Sequence, residues 1–74
     1  MEKINKDELT RRLETAIKAS VGKNGLNTMI YGWLNQKKYG QKYREAIWHR
    51  KWLYITEVNE LSAYAGYDLT KNEP

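Results

Sequence analysis

The chain has 74 residues, 41% of them hydrophobic and 30% charged, with a net charge of +4. That balance fits one small globular domain spanning residues 1–74. It contains neither the roughly 20-residue apolar run of a membrane span nor the apolar core of a signal peptide, so a cytoplasmic location is expected. There is no cysteine and one histidine, His49, which excludes disulfides, thiolate or paired-His metal sites and cysteine nucleophiles, and nothing indicates a cofactor or a small-molecule ligand.

A first helix is predicted over about residues 6–20. Asn5 is a good N-cap, Glu8 completes a capping-box pattern, and Ile4 with Leu9 can form a hydrophobic staple. Leu9, Leu13, Ala16, Ile17 and Ser20 follow the spacing of one buried stripe, closed by Val21. Gly22-Lys23-Asn24-Gly25 reads as a tight turn. A second helix is predicted over about 27–38, capped by Asn27 or Thr28, with Leu26, Ile30, Trp33, Leu34 and the stem of Lys37 facing inward. Tyr39-Gly40 is a break.

The third segment covers about 41–54, with helix expected to about 52. Tyr43, Ala46, Ile47, Arg50 and Tyr54 form one stripe, and Trp48, Trp52 and Ile55 form another. Its end, residues 52–56, also suits a short strand. The fourth helix is placed at about 57–65, with Thr56 as N-cap, Val58, Leu61 and Ala65 inward, and Gly66 at C′. Tyr67 and Leu69 can fold back onto the core. The ends, 1–4 and 70–74, are expected to fray. The class is therefore all-α: a small single-domain bundle of about four short helices. In so short a chain the three Trp residues are the expected anchors of the core.

Charge is unevenly placed. Residues 1–17 are neutral overall, 18–51 carry +7 and 52–74 carry −3. No carboxylate occurs between Glu14 and Glu45. A polyanion-facing surface requires such a window, because each acid there would repel phosphate.

Catalysis has little support. Asp7 and Glu8 are adjacent and do not share a helix face. Glu57 and Glu60 read as solvated surface, and His49 lacks an orienting partner. Gly22 and Gly25 lack the strand and the Lys-Ser/Thr of a phosphate loop. The chain reads as a non-enzyme.

Nucleic-acid recognition has more support. A major-groove helix needs polar side chains for base edges and cations for phosphates. Helix 27–38, with its preceding helix and turn, supplies both in a helix-turn-helix layout. Asn27, Thr28, Tyr31 and Gln36 are the candidate base readers, and Lys23, Lys37, Lys38, Lys42 and Arg44 the candidate phosphate contacts.

Two stretches resemble the helix-turn-helix repressors of the lambda-repressor and Cro type. Asn27 to Lys37 is similar to their recognition helix, with its Trp-Leu-Asn-Gly-Lys-like end. Val58 to Tyr67 looks like their C-terminal helix, with its Leu-Ala-x-x-Leu-Gly-Val-like end. The resemblance implies a sequence-specific, double-stranded DNA-binding transcriptional regulator of a mobile element, such as a phage. Such a regulator would act by operator occupancy, as a homodimer on two half-sites. The alternative is a small accessory or inhibitor module. That reading rests on an aromatic-basic surface in which Tyr39, Tyr43, Trp48, Trp52 and Tyr54 interleave with Lys42, Arg44, Arg50 and Lys51.

Overall fold

In the computed structural model, which describes residues 5–69 and residue 71, the chain forms three helices. They are α1 (Lys6–Gln36), α2 (Gln41–Arg50) and α3 (Ile55–Tyr64). No strand occurs among the described residues, so the expectation of a strand at 52–56 is corrected.

α1 starts where the capping chemistry places it. Asn5 is extended, and its Oδ1 accepts the Glu8 N–H at 2.8 Å. The Glu8 carboxylate accepts from Arg12 at 3.1 Å. The expected staple through Ile4 lies outside the described residues.

The expected turn at 22–25 is a kink instead. Only Gly22 leaves helical geometry, at φ 79° and ψ 174°, a region essentially confined to glycine. Lys23, Asn24 and Gly25 are already helical. The bend is sharp. A Cβ built on Gly25 would lie 2.7 Å from the Cβ of Val21, whereas residues four apart on a regular helix are about 5–6 Å apart at Cβ. A straight helix of 31 residues would measure about 46 Å, yet the longest dimension of the molecule is 36 Å. Gly22 makes the reversal possible, and Gly25 lets the two arms approach.

Two of the four expected helices are thus arms of one element, residues 6–21 and 23–36, with no separate turn between them. Asn27 and Thr28 lie inside the second arm and do not cap it. The bend brings Leu9, Leu13 and Ile17 of the first arm into one core with Leu26, Ile30, Trp33 and Leu34 of the second.

α2 and α3 both pack on α1. α2 stops at Arg50, short of the expected 52, because Lys51 turns left-handed (φ 56°). The Lys51 N–H then donates to the Trp48 carbonyl at 3.2 Å, and the Trp52 N–H to that of Ile47 at 2.9 Å, a Schellman closure. The connection drops Leu53 into the core, fully buried. α3 begins at Ile55, two residues before the expected start, which places Thr56 in its first turn. Tyr54 holds the N-cap position, and its N–H donates to Glu57 Oε2 at 3.2 Å.

The C-terminus of α3 follows the sequence. Gly66 is left-handed (φ 72°) at C′. The Tyr67 N–H donates to the Ser62 carbonyl at 2.8 Å, and the Gly66 N–H to that of Ala63 at 3.1 Å. Leu69 returns to the core, and Tyr67 packs against it.

Ile47 and Trp48 of α2 join Val58 and Leu61 of α3 in the same core. Trp33 and Trp48 are anchors, as expected of the Trp residues, whereas Trp52 is half-exposed. Tyr43, Tyr54 and Ile55 of the two expected stripes are also exposed, as are Ser20 and Val21. Thr10, outside the expected stripe, is buried.

Candidate nucleic-acid interface

The nine residues expected to contact DNA separate into two groups. Asn27, Tyr31, Lys37 and Arg44 bond within the chain to another element or its connection. Lys23, Thr28, Gln36, Lys38 and Lys42 are exposed, and among the described residues Thr28 alone of these has a side-chain hydrogen bond, from its hydroxyl to the Asn24 carbonyl one turn back at 2.9 Å.

The first group lies mostly along one seam. Asn27, Tyr31 and Asn35 recur at every fourth position of α1 and therefore line one stripe. α2 lies against that stripe. Trp48 Nε1 donates to Asn27 Oδ1 at 3.1 Å. The Tyr31 hydroxyl and His49 Nε2 are hydrogen-bonded at 2.7 Å. Arg44 donates to Asn35 Oδ1 at 3.0 Å and to the Tyr39 carbonyl at 2.7 Å. Withdrawal from water pushes the Tyr31 phenol above its ordinary value; the Glu45 carboxylate adds to the rise, and Arg44 opposes it. Beside the seam, Tyr31, Gly32, Asn35, Gln41, Arg44 and Glu45 line an open cleft of about 500 Å³.

Sequence spacing marks the 27–31–35 stripe as polar and continuous. It does not say whether the occupant is a base edge or another helix. The deciding partners are Arg44, Trp48 and His49. The indole N–H of Trp48 is the informative one, since a buried Trp donor needs an acceptor nearby.

A second set of bonds ties the α1–α2 connection to α3. Lys37 pairs with Glu60 and sits 5.6 Å from the centre of the Trp33 ring. The hydrogen bond to Glu60 raises the Lys37 ammonium above its ordinary value. The Tyr39 hydroxyl donates to Glu57 Oε1 at 3.1 Å, which raises its own titration. Glu57 and Glu60, expected as solvated surface, are half-buried and exposed respectively, and both fasten this connection. Lys51 pairs in the same way with Glu14 at 3.1 Å.

What stays open is largely cationic. Lys18 and Lys23 on α1, Lys38 in the connection, and Lys42 and Arg50 on α2 are exposed. Lys38 adopts a left-handed backbone (φ 62°). The first turn of α2 contains no acid, and no side chain among the described residues caps it. Its leading amides and the positive end of its dipole are therefore free to face an anion. Among the described residues, no group of three or more His, Cys, Asp or Glu is placed to hold a metal ion, and no helix is long and apolar enough to cross a membrane.

No protein-family model, curated protein or solved structure matches the chain.

Proposed function

We propose that the chain is a sequence-specific, double-stranded DNA-binding regulator of transcription from a mobile element. It acts as a homodimer by occupying an operator. The observation that carries this reading is the sorting of charge. Between Glu14 and Glu57 the chain has a single carboxylate, Glu45. Glu14, Glu57 and Glu60, which flank that window, are drawn into bonds with Lys51, Tyr39 and Lys37. A surface of this sign attracts phosphate and repels little of it. Lys23, Lys38 and Lys42 supply the phosphate contacts, with Thr28 and Gln36 accessible beside them. Dimerisation supports the reading because one small module makes a limited interface, and two half-sites multiply specificity.

The test is a salt titration of binding to duplex DNA. Log affinity is expected to fall linearly with log salt. Lys38→Ala with Lys42→Ala is expected to flatten the slope by about two units while leaving the fold unchanged. A folded protein that binds no duplex at low salt refutes the proposal.

One observation favours the alternative, a protein-interaction module. Trp52, Tyr54 and Ile55 stand exposed together in and after the α2–α3 connection, with Tyr54 the most open at 72%. Arg50 lies over the Trp52 ring at 5.4 Å and Lys6 over the Tyr54 ring at 6.0 Å. Exposed aromatic residues of this kind anchor protein partners. Loss of partner binding in Trp52→Ala, with DNA binding intact, would give this surface that separate role.

A further inference from the structure

The seam between α1 and α2 decides which helix can read DNA. Asn27, Tyr31 and Asn35 already bond to Trp48, His49 and Arg44. Atoms held in that seam are not free to meet base edges, so the second arm of α1 is covered on its polar stripe. The helix that covers it has an open face of its own. α2 turns Ile47 and Trp48 into the core. Lys42 and Glu45 lie three apart on one side of the helix, and both are exposed; His49, one turn on, is held by Tyr31.

The ends of α2 suit a groove. A helix of 10 residues is about 15 Å long, comparable with a major groove about 12 Å wide. Lys38 and Lys42 stand at its beginning, and Arg50 at its end. Lys38 and Lys51 both hold left-handed backbone positions, φ 62° and 56°, where glycine is the relaxed choice. At both ends of α2 the chain carries a cation there instead.

Glu45 is the anomaly that gives the face a specificity. It is the one carboxylate in a long basic window, and it is exposed, lining the open cleft beside the seam. Near phosphates a carboxylate repels. In the major groove it has a matching partner, the N4 amino group of cytosine. Gln41 Nε2 lies 3.5 Å from Glu45 Oε1, on the same helix and beside the same face.

We propose that α2 is the helix that enters the major groove, with Glu45 facing the bases and selecting a cytosine through its N4 amino group. The proposal rests on the reading of the chain as a duplex-DNA binder and adds which element reads and what it selects. Cations at the two ends of α2 hold the phosphate walls, and Glu45 is repelled by bases that present only acceptors to it, guanine and thymine.

The full chain is tested against a randomised duplex pool, and the bound fraction is sequenced for the wild type, Glu45→Gln and Glu45→Ala. Circular dichroism verifies that each variant is folded. The wild type is expected to select a motif containing a cytosine, with roughly ten- to a hundredfold discrimination at that base pair. Glu45→Ala is expected to lose the preference at that position alone. Its affinity for unrelated duplex should be equal to or higher than that of the wild type, because a negative charge has left the interface. A Glu45→Ala protein that keeps the wild-type motif at every position overturns the assignment of α2 and leaves the DNA-binding reading standing. A wild type that binds duplex DNA without any motif also overturns it. A folded wild type that binds no duplex at low salt removes both.

Discussion

Replacing Gly22 by alanine isolates the step on which the fold depends. Gly22 sits at φ 79° and ψ 174°, and a Cβ there would touch nothing within 4 Å. The cost of Gly22→Ala is therefore conformational and not steric. An L-residue in this region carries about 1–3 kcal/mol of strain. The smaller conformational entropy of alanine in the unfolded chain returns roughly 0.4–1 kcal/mol. The net loss is about 1–2 kcal/mol. For a chain of this length, 1 kcal/mol corresponds to about 6 °C, so Tm should fall by roughly 6–12 °C. Thermal and urea melts followed by circular dichroism measure this directly. A chemically synthesised chain with D-alanine at position 22 provides the control. The mirror image of the Gly22 geometry is φ −79°, ψ −174°, which is ordinary extended backbone for an L-residue. The D-alanine chain should therefore match or exceed the wild type by roughly 0.4–1 kcal/mol. If Gly22→Ala is as stable as the wild type and gains ellipticity at 222 nm, then α1 tolerates a straight course and the bend is not what closes the core.

Three other substitutions or conditions probe the remaining elements. Asn27→Ala leaves the buried Trp48 indole N–H without its acceptor and should destabilise the protein by about 1–3 kcal/mol, measured by urea denaturation; a change under about 0.5 kcal/mol would contradict the seam. Lys38→Gly relaxes a left-handed residue and should stabilise the fold by up to about 1 kcal/mol while weakening DNA binding; a lower Tm would show that the lysine stem makes packing the geometry does not reveal. Lys37 and Tyr39 both titrate above their ordinary values in the folded chain, through Glu60 and Glu57 respectively. A raised folded-state value means that the stability is fully present below the unfolded pKa and is lost as pH rises through the folded one. Stability should thus begin to fall above about pH 10, where free tyrosine and lysine start to lose their protons. Tyr39→Phe should shorten that alkaline decline; an unchanged profile would mean that the Glu57 bond does not persist in solution.

What was legible in the sequence is what local chemistry decides. Asn5 as N-cap, Gly66 at C′ and the inward set Leu9, Leu13, Ile17, Leu26, Ile30, Trp33 and Leu34 all follow from capping and periodicity, and the structure carries them. Gly22-Lys23-Asn24-Gly25 misleads because its composition is that of a turn, while its geometry needs one non-helical residue. Gly25 serves a close approach to Val21, a tertiary demand that no local rule exposes. Leu53 was equally opaque, since a buried leucine in a four-residue connection belongs to no helical stripe. α2 ends early because Lys51 adopts a conformation usually left to glycine, and nothing in its own identity announces that.

The candidate interface was legible in charge and illegible in face. The window without carboxylates can be read from the sequence alone, and it survives folding because the acids at its borders pair within the chain. Such pairs at the surface are worth only about 0–1 kcal/mol each, too little to explain the sorting by stability. Their larger effect is on the field. At a separation of about one Debye length, roughly 8 Å, an approaching polyanion still meets the sum of the nearby charges, and Lys37, Glu60, Lys51 and Glu14 cancel in pairs within that sum. Lys18, Lys23, Lys38, Lys42 and Arg50 are left to set it, with Glu45 opposing them. An acid in that position weakens attraction to every sequence alike, so affinity alone gives no reason to keep it on the open face of α2. The proposed contact to one particular base would, and on that proposal Glu45, and not any of the lysines, is the residue whose replacement separates attraction to DNA from recognition of a site.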